Sequence, residues 1–242
     1  MSKVKILFAI LFLLVLSFSI YKYVSLNKDI EIEHETQEEL ITVSEIEDIP
    51  SENSTINFEE LQKINPDVIG WLYIENTNIN YPLVQGNDNT YYLSHSYYKK
   101  YSAAGSIYMD TTASSDFTSF NTFIYGHYTP YGTMFAEIGK YMNQQFYEQH
   151  KNIYIYTPNK NYKLEVFSVH TDKASSKSYQ MNFTTDAAFS DYVNLMIKKS
   201  VIKTDVKIDP EVDKIITFYS CSKERGYAKD DRYFIHTKLI EL

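Results

Sequence analysis

Lys214-Ile-Ile-Thr-Phe-Tyr-Ser-Cys221 is an apolar, β-branched stretch that ends on the only cysteine of the 242-residue chain. Such a run is typical of a buried strand, and alternation places Cys221 and Tyr219 on one face and Ser220 on the other. The thiol therefore lies at the end of a strand, where proteins usually display reactive groups. A lone cysteine can also be an ordinary small core residue, so the stretch alone leaves both interpretations open.

The only two arginines of the chain, Arg225 and Arg232, both follow this cysteine closely. Since lysine is the usual cation here, an arginine indicates a need for a planar, permanently charged fork. Arg232 opens a second strand-like run, Arg232-Tyr-Phe-Ile-His-Thr-Lys-Leu-Ile240, which we expect to pair antiparallel with the first. This pairing brings Arg232 beside Cys221. Arg225, in the polar loop between the runs, stays the alternative.

Further runs of strand length bring the predicted number of strands to eight. They cover residues 70–74, 79–84, 106–109, 121–125, 152–156 and 163–171, followed by 214–221 and 232–240. Two helices are predicted as well, a short one between the cap Asn57 and Pro66, and a long one from the cap Thr185 to Lys199. A further helix is expected over residues 133–141. With 23 tyrosines, 14 phenylalanines and few glycines, the chain predicts a mainly β domain, a single antiparallel barrel with added helices.

An apolar segment with no charge from Ile6 to Tyr21 follows Lys3 and Lys5. The run is short for a membrane span, although Lys22 can extend it by snorkelling. We expect residues 1–28 to be a signal anchor, with a cytoplasmic N-terminus and the remainder of the chain outside. The alternative is a signal peptide that is cleaved near residues 17–19.

Residues 29–52 carry ten acidic side chains and neither lysine nor arginine. Their mutual repulsion predicts an acidic, extended linker over residues 29–56, and a helix is the competing interpretation because glutamate is a good helix former. The remaining residues, 57–242, form one domain that is nearly neutral. Nothing in its charge indicates nucleic-acid binding.

One histidine, His127, has the placement of a general acid or base. Phe123-Ile-Tyr-Gly-His127 carries it off a buried strand and past a glycine into a loop, with rigid support behind it and open space in front. The other histidines are interpreted as a linker residue, two surface residues and two structural residues, which are His34, then His95 and His150, then His170 and His236.

Three segments together resemble the sortases, the cysteine transpeptidases of Gram-positive surfaces. They are Tyr125-Gly-His-Tyr-Thr-Pro-Tyr-Gly-Thr-Met-Phe135, Thr217-Phe-Tyr-Ser-Cys221 and Arg232-Tyr-Phe-Ile-His236. The first resembles the family's Tyr-Gly-His segment with its following Gly-(Ser/Thr)-Met-Phe, the second its Thr-Leu-x-Thr-Cys strand, and the third its arginine-led last strand. The resemblance covers about residues 57–242, and the two helices make it most similar to class B. Ser220 stands where the family has threonine, so substrate preference at that wall is open.

The resemblance implies an eight-stranded sortase-type β-barrel with an N-terminal helix and a long helix before the cysteine strand. It also implies three catalytic roles. Cys221 would attack a backbone carbonyl, Arg232 would hold the carbonyl oxygen as charge develops, and His127 would protonate the departing amine. An amino group would then resolve the thioacyl enzyme. Neither a cofactor nor a metal is implied.

By resemblance to class B, the donor would be a surface protein with a C-terminal Asn-Pro-x-Thr-x motif or a similar pentapeptide, cut after threonine. The acceptor would be a peptidoglycan amine. The peptide groove would be lined by five residues, each of which could instead serve ordinary packing: Asn89, Leu93, Tyr125, Tyr192 and Ser220. A pilin-polymerising sortase and a non-catalytic anchored binding module remain as alternatives.

Two other cysteine enzymes fit less well. A papain-like protease has its cysteine before its histidine, which is the reverse of the order here. A cysteine-type L,D-transpeptidase would have Ser-His-Gly-Cys where this chain has Phe-Tyr-Ser-Cys.

Overall fold

The computed structural model describes residues 3–43, 56–129, 132–221 and 230–242, which belong to two compact units. The first is a single helix, α1 (Lys3–Val43). Within it, residues Lys5–Ser25 are apolar and long enough to cross a membrane, and none of this window is buried inside the protein.

The helix α1 continues through residues 29–43, where the acidic composition predicted an extended linker. Adding a residue to an existing helix costs far less than starting a new one, and glutamate has a high helix propensity. The helix that begins in the apolar segment can therefore run on through the acidic one. Residues 44–55 of the expected linker lie outside the described residues.

The second unit is a closed barrel of eight strands in the order β1-β2-β3-β4-β7-β8-β6-β5, with β5 also pairing with β1. The predicted number and sequence of strands are confirmed. Their bounds are β1 (Val68–Ile74), β2 (Asn80–Val84), β3 (Ile107–Met109), β4 (Asn121–Tyr125), β5 (Ile153–Tyr156), β6 (Asn161–Lys173), β7 (Ile215–Cys221) and β8 (Asp231–Glu241).

The barrel is mixed, and the expectation of a wholly antiparallel sheet is wrong for two pairs. Strand β2 pairs with β3, and β4 pairs with β7, in parallel. A parallel pair needs a connection long enough to carry the chain back to the starting end. Residues 85–106 provide it for β2 and β3, and residues 126–214 provide it for β4 and β7.

Side chains alternate across the barrel wall as the period of two requires. Ile216 and Phe218 of β7 face the main core inside the barrel, together with Tyr233 and Ile235 of β8. The intervening positions face outward. Ile215 of β7, for example, joins a second apolar cluster on the outer surface of the wall.

The helices predicted to begin after Asn57 and Thr185 are both present. In α2 (Phe58–Ile64) the Asn57 side chain accepts a hydrogen bond from the Glu60 N–H, and in α4 (Asp186–Lys199) Thr185 accepts one from Ala188. The buried side of α4 packs on the outer face of the barrel through side chains that meet Phe167 and Ile215. They are Phe189, Tyr192, Val193 and Met196.

The helix expected over residues 133–141 is wrong in its first half. Met134 has a φ of +52°, a left-handed conformation that no right-handed helix contains. A short 3₁₀ helix, Ile138–Met142, takes the second half, and an additional helix, α3 (Gln144–Gln149), follows it.

Candidate active site

The three predicted catalytic residues lie on neighbouring parts of the barrel wall. Strands β4 and β7 are parallel, with Tyr125 opposite Tyr219 in the register. His127 and Cys221 each come two residues further along, so both lie at the same edge. On the other side of β7, Cys221 is directly opposite Arg232 of β8. Residues that are distant in sequence therefore form one row across this edge.

The outer face of the wall below this row is aromatic. The ring of Tyr219 lies 5.6 Å from that of Tyr125 and 5.1 Å from that of Phe234, measured between ring centroids. Since side chains two residues apart in a strand share a face, Phe234 marks the outer face for Arg232 on β8. These rings form a rigid floor at the strand ends.

The backbone before His127 leaves room only for glycine. The Gly126 N–H donates to the Tyr219 carbonyl at 3.3 Å and so keeps β4 against β7. A Cβ atom on Gly126 would lie 2.5 Å from the Ile107 side chain and 2.6 Å from the Phe135 ring, closer than real Cβ contacts. The Phe135 N–H in turn donates to the His127 carbonyl at 2.9 Å. His127 is therefore held on both sides by backbone hydrogen bonds.

The His127 ring contacts the chain through its Nε2 atom, 2.8 Å from the Leu93 carbonyl oxygen. A carbonyl only accepts hydrogen bonds, so Nε2 carries a proton and donates it. In the neutral ring this assigns the lone pair to Nδ1. Nδ1 is therefore the ring nitrogen that remains for proton exchange, while the Leu93 carbonyl fixes the ring orientation.

Arg232 lies between two partners in the sheet. Its position is opposite Cys221 on β7 and opposite Asp172 on β6, and its Nη1 donates to the Asp231 carbonyl at 2.9 Å. The strand register thus gives Arg232 the position beside the cysteine that the sequence predicted for it. Arg225 lies outside the described residues.

The predicted groove residues differ in their surroundings. Leu93 is 40% exposed, Asn89 is half-buried and Tyr125 is buried. Asn89 and Tyr125 meet on one carboxylate, that of Asp110, whereas Leu93 reaches His127 through its carbonyl. The structure therefore brings Asn89, Leu93 and Tyr125 to the side of the row that carries His127.

Ser220 and Tyr192 are buried. Ser220 is 2% exposed, and its hydroxyl has no hydrogen-bond partner in the described part of the chain. Tyr192 is 4% exposed, donates its hydroxyl to the Ser178 carbonyl at 2.8 Å and accepts a hydrogen bond from Asn121. The structure thus places Tyr192 in the packing of α4 against the barrel, apart from the row, and its groove role stays a prediction.

Asp110 and Tyr179 were not singled out from the sequence. Asp110 follows β3, and its side chain accepts from Thr112 two residues later, which is a turn motif with a sequence signature. Tyr179 lies in the polar connection between β6 and α4, where nothing but its aromatic ring stood out. Its ring packs 4.9 Å from Phe123 and 5.3 Å from Tyr219, between centroids.

A buried polar cluster lies behind the aromatic floor. The His170 ring stacks on that of Phe234, and its Nε2 lies 3.0 Å from the Ser178 hydroxyl. That hydroxyl donates to Asp172, which also pairs with Lys199. Burial alone would raise the pKa of Asp172, but the hydrogen bonds from Lys199 and Ser178 outweigh it and hold this pKa well below its usual value. The cluster joins β6, α4 and the connection between them.

The two histidines predicted to be structural are both buried. Burial lowers the pKa of His170 from 6.5 to about 4, with the charge of Lys199 as a second cause. Burial also lowers the pKa of His236 well below its usual value. His236 Nδ1 lies 2.8 Å from Thr217, whose hydroxyl donates to Asn121. Both rings are therefore neutral parts of the packing.

No group of three or more potential metal ligands occurs among residues whose placement the structure describes.

A family model described as a sortase domain matches residues 72–240. Sortase B of Listeria monocytogenes is 36% identical over 181 residues, which are 75% of this chain and 73% of that protein. A crystal structure of sortase B from Bacillus anthracis matches with a TM-score of 0.77 and 32% identity, covering 89% of this chain and 99% of the other. A Staphylococcus aureus sortase B–substrate complex matches with a TM-score of 0.71 and 32% identity, covering 76% of this chain and 85% of the other.

Proposed function

Since the chain belongs to the sortase family of cysteine transpeptidases and is similar to sortase B proteins, we propose that it cleaves a C-terminal sorting motif after threonine and joins the cleaved surface protein to a peptidoglycan amine. The motif would be Asn-Pro-x-Thr-x or a similar pentapeptide. The observation that carries the proposal is the register that aligns Cys221 with Arg232 on one side and with His127 at the end of the parallel strand on the other.

The chemistry follows from these three residue types. The Cys221 thiolate attacks the threonine carbonyl carbon, and the guanidinium of Arg232 holds the oxygen as negative charge develops on it. His127, protonated on both nitrogens, gives the Nδ1 proton to the departing amine. The C–N bond breaks, and a thioacyl enzyme remains.

The second half runs in reverse with a new amine. The acceptor amine attacks the thioacyl carbon, neutral His127 takes its proton on Nδ1, and the C–S bond breaks to release the joined product. The Nε2–H stays on the Leu93 carbonyl throughout, so the ring returns to the same orientation in each cycle. A free cysteine has a pKa of about 8.5, so this chemistry requires a proton to pass between Cys221 and its surroundings.

Substrate recognition is proposed on the side of the row that carries His127. Asn89, Leu93 and Tyr125 lie there, and Ser220 precedes the nucleophile. A relative in this family has been seen in complex with its substrate. Because this chain shares the fold of that relative, we propose that it also binds a substrate, and we assign the binding to this edge because Asn89, Leu93 and Tyr125 lie beside His127 there. Tyr192 would act indirectly, by packing α4 against the barrel.

Membrane attachment is proposed through α1. Its apolar segment Lys5–Ser25 satisfies the length and hydropathy of a span. Lys3 and Lys5 favour a cytoplasmic N-terminus, with the catalytic domain at the cell surface beside its substrates.

The test is a transpeptidation assay with the full-length protein in detergent micelles. A fluorogenic Asn-Pro-x-Thr-x peptide is incubated with and without a peptidoglycan stem peptide. We expect cleavage after threonine and a joined product with the stem amine. Cys221→Ala should abolish both. Retained cleavage in that variant would refute the mechanism, and product formation only with a pilin lysine would favour pilus polymerisation.

The two arginines provide a matched comparison. Arg232→Lys keeps the charge but loses the planar fork, so turnover should fall about a hundredfold to a thousandfold. Arg225→Lys should stay near the parent rate. Steady-state cleavage of the same peptide, with circular dichroism to confirm folding, decides between them. Equal rates would remove the oxyanion role, and a loss in Arg225→Lys alone would transfer it to that residue.

A further inference from the structure

Asp110 is a carboxylate with 1% of its surface exposed, just after β3 and next to the candidate site. Both of its oxygens are occupied by donors. Oδ1 accepts from the Thr112 N–H at 2.8 Å and from the Thr112 hydroxyl at 2.6 Å. Oδ2 accepts from Asn89 Nδ2 at 2.8 Å and from the Tyr125 hydroxyl at 2.6 Å. Four hydrogen bonds thus hold one buried carboxylate in place.

The donors identified around Asp110 are all neutral. Burying a carboxylate is costly, and in the described part of the chain its compensation comes from hydrogen bonds, with no ion pair to Asp110. A carboxylate also accepts without donating, so it admits only one orientation of its partners. Each group that contacts the Asp110 carboxylate must therefore point a hydrogen-bond donor at it.

The orientation of Asn89 follows from this contact. Its Nδ2 points to Asp110, and its Oδ1 accepts from the Thr111 N–H at 2.9 Å. The backbone carbonyl of Asn89 also accepts a hydrogen bond, from the Tyr108 hydroxyl at 3.2 Å. The amide therefore cannot flip without breaking two hydrogen bonds. Among the described residues, these two contacts leave one N–H of the Asn89 side chain and one lone pair of its Oδ1 atom for a peptide.

The orientation of Tyr125 is fixed in the same way. Its single hydroxyl proton goes to Asp110, so the Tyr179 hydroxyl, 2.6 Å away, must donate to Tyr125. Burial and the hydrogen bond to Asp110 raise the pKa of Tyr125 far above 10, which keeps its hydroxyl protonated. A chain of hydrogen bonds with one fixed direction thus runs from Tyr179 through Tyr125 to Asp110. Tyr125 lies two residues before His127.

We propose that Asp110 is a positioning residue for the sorting peptide, which fixes Asn89 and Tyr125 in the orientation that the peptide groove requires. It ties the loop after β2 to the ends of β3 and β4, so that the groove keeps a constant distance from the row of His127, Cys221 and Arg232. This proposal rests on the proposed function, because the bound molecule is the sorting peptide. Asp110 would act through Asn89 and Tyr125, without contacting the peptide or the reacting atoms itself.

The experiment compares Asp110→Asn with Asp116→Asn in the full-length protein in detergent. In Asp110→Asn an NH₂ group replaces one carboxylate oxygen and faces either the donors Asn89 and Tyr125 or the donor Thr112, so the hydrogen bonds on that side are lost. We expect kcat/KM for peptide cleavage to fall about tenfold to a hundredfold, mostly through a higher KM, since small displacements at a binding site cost about this much. Asp116 also accepts hydrogen bonds within a turn but is exposed, so its variant should match the parent.

A second readout separates positioning from general damage to the fold. Alkylation of the sole cysteine by a thiol reagent reports the state of the nucleophile without any peptide. In Asp110→Asn we expect this rate to stay within about twofold of the parent, because the proposed effect is on peptide binding. If Asp110→Asn does not fold, Tyr125→Phe removes one donor to the same carboxylate and should raise KM several-fold.

Four outcomes count against the proposal. A parent-like KM in Asp110→Asn would overturn it, and so would a loss confined to kcat. A loss of activity matched by slower alkylation would also overturn it, because it would indicate general damage to the fold. A parent enzyme that cleaves no sorting peptide would instead refute the proposed function, and the positioning role would be lost with it. Cleavage by the parent together with a normal Asp110→Asn variant would refute the positioning role alone.

Discussion

Acid should destabilise the barrel through its two buried histidines. In the folded state His170 has a pKa of about 4, against 6.5 when exposed, because burial disfavours the charged ring. The unfolded chain therefore binds more protons than the folded one between these two values. The stability that depends on the neutral His170 ring is fully present above pH 6.5, is lost progressively as the pH falls, and is gone below about pH 4. His236, whose pKa is also lowered, acts in the same direction.

The size of the effect follows from the shift. A difference of one pKa unit corresponds to about 1.4 kcal/mol. Lowering the pH from 7.5 to 4.5 should therefore reduce the free energy of unfolding by about 2.5 kcal/mol through His170 alone. Small domains are stable by about 5–15 kcal/mol, so this loss is easily measured.

The only tryptophan supplies the assay. Trp71 is fully buried in β1, so its fluorescence reports barrel unfolding in the full-length protein in detergent. We expect the midpoint of urea unfolding to fall steadily from pH 7.5 to 4.5. His170→Gln keeps an N–H group for Ser178 but does not titrate, so its unfolding free energy should change by about 2.5 kcal/mol less over this range.

A control variant, His150→Gln, removes a histidine outside the buried cluster. The reasoning is refuted if His170→Gln keeps the full pH dependence of the parent, or if the control loses as much of it.

Three substitutions and one control test packing and buried hydrogen bonds at and away from the site. Gly126→Ala would bring a Cβ to 2.6 Å from the Phe135 ring, so we expect a loss of about 1–3 kcal/mol in stability together with slower peptide cleavage; a parent-like rate would contradict the tight support of His127. Phe189→Ala removes a fully buried ring between α4 and the barrel, so the free energy of unfolding should fall by about 3–5 kcal/mol in the same fluorescence assay. As a control, Val212→Ala changes a side chain that is 72% exposed, and stability should change by less than about 0.5 kcal/mol. Asn65→Ala leaves two buried oxygens without a donor and should cost about 2 kcal/mol, a value that an unchanged urea midpoint would disprove.

The strands were predictable because their side chains alternate or are apolar throughout. Strand β4 begins and ends where the sequence placed it, and β7 differs by one residue. The caps Asn57 and Thr185 also located their helices. The parallel pairing of β4 with β7 was not predictable from these local patterns, because it depends on where the long connection returns. Met134 shows a second limit, since a positive φ at a non-glycine residue has no strong sequence signal.

The candidate site divides in the same way. Cys221, His127 and Arg232 stood out because their residue types are rare in the chain or follow a strand end, and the register gives them neighbouring positions. The network around Asp110 was missed because the two hydrogen bonds that link this carboxylate to the site, from Asn89 and Tyr125, join segments far apart in sequence. Burial of Tyr192 was consistent with its position on the apolar face of α4, while its distance from the row needed the fold.

The position of β8 makes the order of synthesis matter. This strand, the last in the sequence, lies between β7 and β6 and pairs with β6 along nearly its whole length. A nascent chain that stops before Asp231 leaves both neighbours as open edges and also lacks Arg232. Long-range pairing of this kind forms late and slowly, because the intervening chain must first be brought together. We therefore expect pairing of β8 to complete the barrel and the row of His127, Cys221 and Arg232 together. If Arg232 has the proposed role, a chain that lacks β8 would be unable to react for the same reason that it cannot close the barrel.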